Sequence, residues 1–551
     1  MKKNIFLILI IVLAFVLRFY KLNTYPALNA DEAAIGYNAY SLLQTGLDEH
    51  GNPWPIHFQS FNDYKPGFYF YMVLPFVKVL GLNVWAVRIP GALCGVLTVL
   101  VLYYLVEELF IDHESPTTNH FFPLAAAALL AISPWHIQFS RGGWEVNVAT
   151  FFIATGLLFF LRAIKKPSFF NFAFCILPFV LSLYTYHAAR VVVPLLGLSL
   201  LVIYRKDIKV NIKTFVIAAF IGLILLVPLA RDLTKGSVSS RVMGVGLFAD
   251  SGPLNRINEQ RGEHTDFTGI IPKLIHNKAV NYTLAFMENW SQHYWGEFLF
   301  LSGDAIQRNA VPETGQMYIF DLLFLAVGII AIVRSKEHKR SWLIVIIWLL
   351  IAPIPAALTF QSPNALRAQN MVIPLVIISA YGLVTILEWI KRVSSRKLIL
   401  TFKFLIFILI SWQFARYLHM YYVHMAKEYP FSSQYGVKEL VDYVKGVEGK
   451  YNKIIVTNRY DQPYILFLFY LQYPPQQFQG NHVLTPKNQF GFSTVDHFDK
   501  YYFQAIKYDE VRPDNPNSLI IGTKDEIPKE ANIIKKIYGT NGYEYFDIVA
   551  N

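Results

Sequence analysis

Charged residues and cysteines are both scarce in this chain of 551 residues. Aspartate, glutamate, lysine and arginine make up 16% of it and apolar residues 54%, whereas a typical soluble domain is about 25% charged. So much apolar sequence indicates that a large part of the chain faces something other than water. The two cysteines, Cys94 and Cys175, both lie in apolar runs, so neither a disulfide framework nor a cysteine-based metal site is predicted.

Several common sequence signals are also missing. The chain has no nucleotide fingerprint of the GxGxxG or P-loop type, no internal repeat and no low-complexity tract. The N-terminal sequence has the charged start and apolar centre of a signal peptide, but it lacks a convincing small-residue cleavage site. We therefore expect this segment, KKNIFLILIIVLAFVLRFY, to be a retained membrane anchor.

Apolar runs long enough to cross a bilayer, which takes roughly 17–25 residues, recur along most of the chain. The net charge is +11, and many basic residues cluster at the ends of these runs, as the positive-inside rule describes. This placement indicates a lipid bilayer, and not nucleic acid, as the partner of the basic residues. The predicted spans are 4–20, 88–109, 120–135, 146–164, 169–187, 190–204, 213–230, 317–333, 341–358, 371–390 and 398–415.

The basic clusters also predict the topology. If Lys2 and Lys3 lie inside and the spans alternate, every basic cluster falls on the inside. Residues 67–82 are apolar but contain Pro75 and Lys78. A span there would move every later basic cluster to the other side of the membrane, so we predict an interfacial or half-buried helix. The alternation then places outside the tail after residue 415 and four loops, 21–87, 136–145, 231–316 and 359–370.

These features predict a polytopic α-helical membrane protein with about 11–13 transmembrane helices and a small, extracytoplasmic C-terminal α/β domain. The predicted membrane domain is 1–415, and the predicted soluble domain is 416–551. In the tail, residues 435–447 have helical spacing, and residues 453–458 and 518–523 are typical of short buried strands.

The first predicted outer loop carries candidate catalytic residues. Asp31 and Glu32 come directly before the helical pattern AAIGYNAYSLL, which contains Tyr37. One interpretation is that Asn29 or Asp31 caps this helix; the other is that a carboxylate near the membrane surface acts as a base for a hydroxyl group. Lys65 either anchors a helix at the headgroup level by snorkelling or binds a lipid phosphate as a point charge.

Other outer boundaries carry further charged and aromatic residues. Interfacial anchoring or an ordinary helix-surface ion pair explains any one of them. Three arginines and one lysine on the outer side nevertheless contradict the inside bias. Cations retained near apolar boundaries are costly, which makes a function the default hypothesis. These further candidates are Arg141 and Glu145 in SRGGWE, Tyr186, His187 and Arg190 in YHAARVVVPLL, and Arg367 in PNALRAQN.

The ordered series of motifs resembles the GT-C superfamily of glycosyltransferases, specifically its bacterial ArnT-like and protein O-mannosyltransferase-like group (glycosyltransferase family 39). The resemblance extends over about residues 1–415. Two features depart from the family pattern: Gly67 follows Pro66 where many members have a second proline, and the second loop lacks the Asp-x-Asp of the metal-dependent oligosaccharyltransferase branch. The resemblance is carried by NADEAAIGYNAY, Lys65-Pro66, GLNVWAVRIPGALCGVLTVL, SRGGWE, YHAARVVVPLL, GQMYIFDLLFLAVGI and PNALRAQNMVIPL.

The resemblance implies a GT-C fold and the transfer of a sugar from a polyprenyl-phosphate carrier to a lipid, protein or wall-glycan acceptor outside the bacterial plasma membrane. Asp31 would be the catalytic base and Glu32 its motif partner. The missing Asp-x-Asp implies metal-independent chemistry without a cofactor, and the missing nucleotide fingerprint suits a lipid-linked donor. Lys65, Arg190 and Arg367 would bind the donor phosphate, and Arg141, Glu145, Tyr186, His187 and Tyr37 would contact the substrate.

We predict a single displacement that inverts the anomeric configuration. The alternative is a transporter or flippase of lipid-linked sugars, which would share the spans and the cationic contacts but would not need an outward aspartate at one position. A third interpretation, in which the tail is a binding module on a membrane anchor, is disfavoured by so many spans with charged outer boundaries. The sequence specifies neither the sugar nor the acceptor.

Overall fold

The computed structural model describes residues 2–61, 63–111, 121–235, 246–393, 395–432, 434–487 and 493–551. Residues 236–245, which belong to the predicted large outer loop 231–316, lie outside the described residues. Each of the eleven predicted spans coincides with a helix or a helix pair. In the apolar part of the chain the helices are Lys2–Phe19, Phe68–Leu80, Val84–Phe110, Phe121–Ile132, Pro134–Ser140, Glu145–Lys165, Phe169–Thr185, Ala189–Ile203, Arg205–Val210, Ile212–Leu233, Gly252–Gly262, Ile270–Ile275, Lys278–Gln292, Ile319–Arg334, Lys339–Ile351, Ile354–Ala357, Val372–Val393 and Arg396–His419.

Six described helices are long and apolar enough to cross a membrane, judged by length and composition. A seventh is added if Phe121–Ile132 and Pro134–Ser140, which meet at an angle of 58°, form one broken span. Asn4–Phe19, Phe169–Thr185 and Ala189–Ile203 are apolar but shorter. The helical membrane architecture is therefore confirmed, while the number of eleven to thirteen spans stays a prediction.

The ambiguous segment 67–82 forms the helix Phe68–Leu80, which has 13 residues and contains Pro75. At 1.5 Å per residue, such a helix extends about 20 Å. This is shorter than the hydrocarbon core of a bilayer, which is about 30 Å thick. The helix length therefore agrees with the prediction that this segment does not span the membrane.

The chain divides into two compact units. The first comprises Met1–Arg18, Leu93–Ser140 and Glu145–Leu418, and the second comprises Phe19–Ala92, Arg141–Trp144 and His419–Asn551. The second unit thus joins most of the predicted first outer loop to the C-terminal tail. The predicted division into domains at residue 415 stays a prediction.

The first unit contains a buried arginine within its N-terminal helix. The guanidinium of Arg18 donates hydrogen bonds to the carbonyl oxygens of Ala14 and Ala131, each at 3.1 Å. A further nitrogen of the same group lies 2.7 Å from Nδ1 of His136. A charge inside an apolar unit is tolerated only with such partners, so these contacts explain how an arginine fits among the helices.

The second unit contains a β-hairpin and a seven-stranded mixed sheet with the order β4-β5-β6-β3-β7-β9-β8. β3 pairs in parallel with β6 and β7, and the remaining pairs are antiparallel. The two predicted strands and the predicted helix of the tail are confirmed as β3, β7 and Val437–Val447. The strands are β1 His57–Ser60, β2 Asp63–Pro66, β3 Lys453–Thr457, β4 His482–Leu484, β5 Val495–Phe498, β6 Tyr501–Gln504, β7 Ser518–Gly522, β8 Ile533–Tyr538 and β9 Glu544–Ala550, and the helices are Ala30–Thr45, Met425–Glu428, Val437–Val447, Pro463–Leu471, Pro475–Asn481 and Tyr508–Asp514.

The helix Ala30–Thr45, hereafter the first-loop helix, packs against the tail helix Pro463–Leu471 within the second unit. Gly36 lies where the Phe469 ring crosses the first-loop helix. Polar contacts extend this interface, because the amide of Gln479 donates to the hydroxyl of Ser41 at 2.9 Å and to the carbonyl oxygen of Asp48 at 2.7 Å. The tail therefore supports the helix that carries Asp31 and Glu32.

We expect Gly36→Ala to lower the free energy of unfolding by about 1–3 kcal/mol, because overpacking a close contact forces its neighbours to shift. A Cβ atom at this position would lie 2.6 Å from Cε2 of Phe469 and 2.7 Å from Cγ2 of Val87. The melting temperature of the purified protein measures the effect. Gly446→Ala is the matched control, since a Cβ there meets nothing within 4 Å. Equal melting temperatures for the two variants would contradict the packing.

Candidate active site

Asp31 lies in the first turn of the first-loop helix and is not its cap. The side chain of Asn29 accepts a hydrogen bond from the backbone N–H of Glu32 at 3.0 Å, and the Glu32 carboxylate accepts one from the N–H of Asn29 at 3.2 Å. This reciprocal pair is a capping box. Of the two residues considered for capping, Asn29 therefore fills the role, and the Asp31 carboxylate is directed to another partner.

That partner is Lys65, with which Asp31 forms an ion pair. Lys65 lies on β2, opposite Phe58 of β1 in the hairpin register. Phe58 is buried and stacks on Phe70 at a centroid distance of 4.2 Å, which holds the hairpin against the helix Phe68–Leu80. The Asp31 side chain is 24% exposed and that of Lys65 is 11% exposed, so the pair is screened from bulk water but still accessible to a ligand.

Glu32 is fixed in a buried network whose second charged member is Arg88. Nε and Nη2 of Arg88 donate to the two Glu32 carboxylate oxygens at 2.6 and 2.7 Å. The same guanidinium also donates to the carbonyl oxygens of Leu22 and Pro26, each at 2.8 Å. Both side chains are buried. The network therefore ties the start of the first-loop helix to the preceding chain and to the helix Val84–Phe110.

The two glycines of SRGGWE allow the short segment Arg141–Trp144 to approach Glu32. The backbone N–H of Gly143 donates to the Glu32 carboxylate at 2.8 Å. A Cβ atom on Gly143 would lie 3.3 Å from Cγ of Glu32, and one on Gly142 would lie 2.5 Å from Nε1 of Trp144. A side chain at either position would disturb the contact between the Gly143 N–H and Glu32. The two glycines therefore allow the backbone to donate a further hydrogen bond to the Glu32 carboxylate.

Two other residues predicted to contact the substrate, Arg141 and Tyr37, form hydrogen bonds to groups of the protein within the second unit. The buried guanidinium of Arg141 donates to the carbonyl oxygens of Tyr20 at 2.7 Å and Tyr25 at 3.1 Å, and to the Tyr421 hydroxyl at 3.1 Å. The buried hydroxyl of Tyr37 donates to a tail carbonyl at 3.0 Å, and burial raises its pKa. These contacts join the first loop to the tail, and substrate contact by either residue stays a prediction.

The remaining predicted site residues belong to the first unit. Arg190 lies with Nη1 3.0 Å from Nδ1 of His187 and donates from Nε to a backbone carbonyl oxygen at 3.1 Å. Arg367 donates to the hydroxyl of Thr359 at 2.7 Å. The other members are Glu145, the first residue of the helix Glu145–Lys165, and Tyr186, which caps the C-terminus of Phe169–Thr185. The structure thus pairs Asp31 with Lys65, while roles for Arg190, His187, Arg367, Glu145 and Tyr186 stay predictions.

Sequence reasoning missed Arg88 and Glu49. Arg88 stands alone within the apolar run NVWAVRIPGALCGVL, and a lone cation in such a run signals a buried functional or structural partner. Glu49 lies in LDEHGN, which has the composition of a solvated turn, so the sequence did not predict that Glu49 is buried.

Among the described residues, no group of three or more histidine, cysteine, aspartate or glutamate side chains could hold a metal ion. Metal independence stays a prediction.

Comparison with known proteins gives one family match and several similar folds. Residues 64–230 match the family model of dolichyl-phosphate-mannose-protein mannosyltransferase. No curated protein is significantly similar in sequence. The apo structure of ArnT from Cupriavidus metallidurans is 12% identical, with a TM-score of 0.53, and the match covers 100% of this chain and 98% of that one.

Two lipid complexes have similar folds. The structure of ArnT from Cupriavidus metallidurans bound to undecaprenyl phosphate is 14% identical, with a TM-score of 0.51, over 98% of this chain and 97% of that one. The archaeal oligosaccharyltransferase AglB from Archaeoglobus fulgidus, in complex with an inhibitory peptide and a dolichol-phosphate, is 13% identical with a TM-score of 0.51. That match covers 85% of this chain, which spans 63% of the length of AglB. The similarities confirm the predicted helical membrane fold with a C-terminal sheet.

Proposed function

We propose that this chain, a multi-pass membrane protein of the GT-C superfamily of glycosyltransferases, transfers a sugar from a polyprenyl-phosphate carrier to an extracytoplasmic acceptor. The family match and the ArnT-like fold support the class of reaction, and the lipid phosphates in two similar structures support the class of donor. The observation that carries the proposal is the partly accessible ion pair between Asp31 and Lys65. In this pair a carboxylate on the first-loop helix lies next to an ammonium group on β2, which supports roles for Asp31 as the base and for Lys65 as the phosphate-binding cation.

In this proposal Lys65 binds the donor phosphate. Its ammonium group is mostly buried and held near the ring of Phe61, with Nζ 5.3 Å from the ring centroid. The donor phosphate is a diester with one negative charge, which rises towards two as the sugar leaves, and its oxygens accept charge-assisted hydrogen bonds from lysine. The phosphate therefore replaces Asp31 as the main partner of Lys65, and an aspartate relieved of its cation is a stronger base.

The reaction is a single displacement. The acceptor hydroxyl gives its proton to the Asp31 carboxylate, and its oxygen forms a bond with the anomeric carbon of the sugar. The bond between that carbon and the phosphate oxygen breaks, and the electron pair remains on the phosphate. Lys65 offsets the charge that develops there, an effect worth roughly 3–4 kcal/mol for a well-placed donor. Attack opposite the leaving group inverts the anomeric configuration.

Glu32 acts in this scheme as the positioning partner of Asp31. Its carboxylate is occupied by Arg88, by the N–H of Asn29 and by the N–H of Gly143, so it holds the first turn of the first-loop helix in one orientation. Rigid support of this kind keeps a catalytic group within reach of its substrate. The other candidates keep the roles predicted from the sequence: Arg190 and Arg367 as phosphate contacts, and Arg141, Glu145, Tyr186, His187 and Tyr37 as substrate contacts.

The proposed setting is the outer face of a bacterial plasma membrane, with the active site and residues 416–551 outside the cytoplasm, and the proposed chemistry needs no metal. The acceptor is a lipid, a protein or a wall glycan. A flippase of lipid-linked sugars is the second candidate. The broken pair Phe121–Ile132 and Pro134–Ser140 favours it, because discontinuous helices occur at transporter substrate sites.

We expect Lys65→Met to lower kcat/KM for the donor at least about 100-fold, because the variant removes the cation that stabilises the leaving phosphate. Lys65→Arg should retain part of the activity, since it keeps the charge but changes the geometry. The measurement is the breakdown of a labelled polyprenyl-phosphate sugar by purified protein. Lys529→Met, at an exposed tail position, is the control. An unchanged kcat/KM in Lys65→Met would overturn the role of Lys65.

A further inference from the structure

Two consecutive acidic residues after the first-loop helix have opposite surroundings. The Asp48 carboxylate accepts hydrogen bonds from the backbone N–H groups of His50 at 2.9 Å and Asn52 at 2.8 Å, and from the Asn52 amide at 2.9 Å. Glu49 is fully buried, but neither carboxylate oxygen has a hydrogen-bond partner among the described residues. Donors stabilise a carboxylate anion, whereas full burial favours the neutral acid. Asp48 is therefore the anion, and Glu49, for which burial outweighs the effect of the nearby Asn38 amide, is the neutral acid.

The neighbouring histidines support this assignment. Nδ1 of His482 lies 2.9 Å from the carbonyl oxygen of Phe478, so this nitrogen carries the proton and Nε2 is the acceptor. Nδ1 of His50 faces that acceptor at 3.4 Å, which leaves Nε2 of His50 with a lone pair. This lone pair lies 3.6 Å from Oε1 of Glu49. The two atoms are too far apart for a hydrogen bond, but the lone pair would repel a carboxylate more strongly than a neutral carboxyl group.

The expected protonation states agree with the geometry. Burial, with a smaller contribution from the charge of Asp48, raises the pKa of Glu49 to about 8. Burial, with a smaller contribution from His482, lowers the pKa of His50 to about 3, so this ring is neutral. The Asn38 side chain and, to a smaller extent, Lys65 act in the other direction and favour the Glu49 anion.

Charged and titratable groups that interact electrostatically with Glu49 come from several elements. They are Tyr37 on the first-loop helix, Asp48 and His50 on its own turn, Lys65 on β2 and Tyr464 on the helix Pro463–Leu471. Lys65 is the cation in this set. An ionised Glu49 would attract the same ammonium group that is proposed to bind phosphate.

We propose that Glu49 is a positioning residue that remains protonated so that the charge of Lys65 is available to the donor phosphate. The inference rests on the proposed function of Lys65 and adds a regulatory property to it. Loss of the Glu49 proton places a buried negative charge within range of both Lys65 and the bound phosphate. Donor affinity therefore falls as the pH rises through the titration of Glu49.

The dissociation constant of a short-chain polyprenyl phosphate, measured from pH 6 to pH 9, tests the coupling. We expect the affinity of the wild-type protein to fall about tenfold between pH 7 and pH 9, as one added charge at partly buried range would cause. Glu49→Gln and Glu49→Met, which both lack the titrating group, should change less than about twofold over the same range. Two variants with different side chains are used so that the test remains possible if one of them fails to fold. Glu530→Gln, at an exposed position, should follow the wild type.

Infrared difference spectra between the wild type and Glu49→Gln measure the proton without any donor. The wild type should show a protonated carboxyl signal at pH 7 that the variant lacks and that disappears above pH 8. A missing signal, or a fall in affinity that is equal in the wild type and both Glu49 variants, would overturn the inference. If no protein binds polyprenyl phosphate at any pH, the proposed function fails as well, even if the infrared signal of Glu49 is present.

Discussion

Asp31→Asn should reduce sugar transfer at least about 100-fold while leaving the protein folded, because loss of a positioned general base costs roughly 10²–10⁴-fold. Asparagine has nearly the same shape as aspartate but does not accept a proton at neutral pH. The capping box does not include Asp31, since Asn29 and Glu32 form it. The N-terminus of the first-loop helix therefore stays intact in the variant. A loss of sugar transfer then reflects the missing base and not a folding defect.

Donor binding separates this explanation from a simple structural defect. Asp31 is the carboxylate paired with Lys65, so its replacement removes a competitor for the phosphate. We expect Asp31→Asn to bind polyprenyl phosphate as tightly as the wild type or more tightly, with kcat and not KM carrying the loss. Asp509→Asn, the same substitution at an exposed first-turn position of Tyr508–Asp514, should leave both unchanged. Near-normal transfer by Asp31→Asn would refute the catalytic role.

Arg88→Met should destabilise the protein by about 3–5 kcal/mol, the usual cost of leaving a buried charge without its partner. Arg88 and Glu32 are buried, and the guanidinium also binds backbone carbonyl oxygens of the preceding chain. Their loss frees the first turn of the helix that carries Asp31. We therefore expect activity to fall together with stability, measured as the denaturant midpoint and the rate of donor breakdown in the same detergent micelles.

A double substitution tests whether the effect comes from the ion pair. Glu32→Gln combined with Arg88→Met removes both charges, so the double variant should be more stable than the sum of the single effects predicts, by about 1 kcal/mol or more. Arg162→Met is the control, because Arg162 is 37% exposed in its pair with Glu108 and such pairs contribute about 0–1 kcal/mol. Equal losses in Arg88→Met and Arg162→Met would show that burial of the network is unimportant.

The sequence was informative where one chain segment determines its own structure. The spacing of residues 435–447 and the apolar runs at 453–458 and 518–523 predicted a helix and two strands that the structure confirms. Asn29 and Glu32 have the spacing of a capping box, yet the sequence left Asp31 open as the cap. The choice depends on where the Asp31 side chain finds a partner, and Lys65 is 34 residues away.

Contacts between distant segments were the part that the sequence did not reveal. The tail packs on the first-loop helix because Gly36 leaves room for Phe469, and a lone glycine in a helical pattern does not identify its neighbour. Arg88 was visible as a cation in an apolar run, but its partner Glu32 was not. Glu49 had no local signal at all, and the groups that interact with it include Lys65 on the following hairpin and Tyr464 on a tail helix.

The most direct measurement supplies the purified protein with a polyprenyl-phosphate sugar that is labelled separately in the sugar and in the phosphate. The account predicts that the two labels separate in the presence of acceptor, with phosphate retained on the lipid, and that Asp31→Asn keeps them together. If both labels remained on one lipid while the wild-type protein moved it across the membrane, the chain would be a flippase and the catalytic pairing of Asp31 with Lys65 would be wrong.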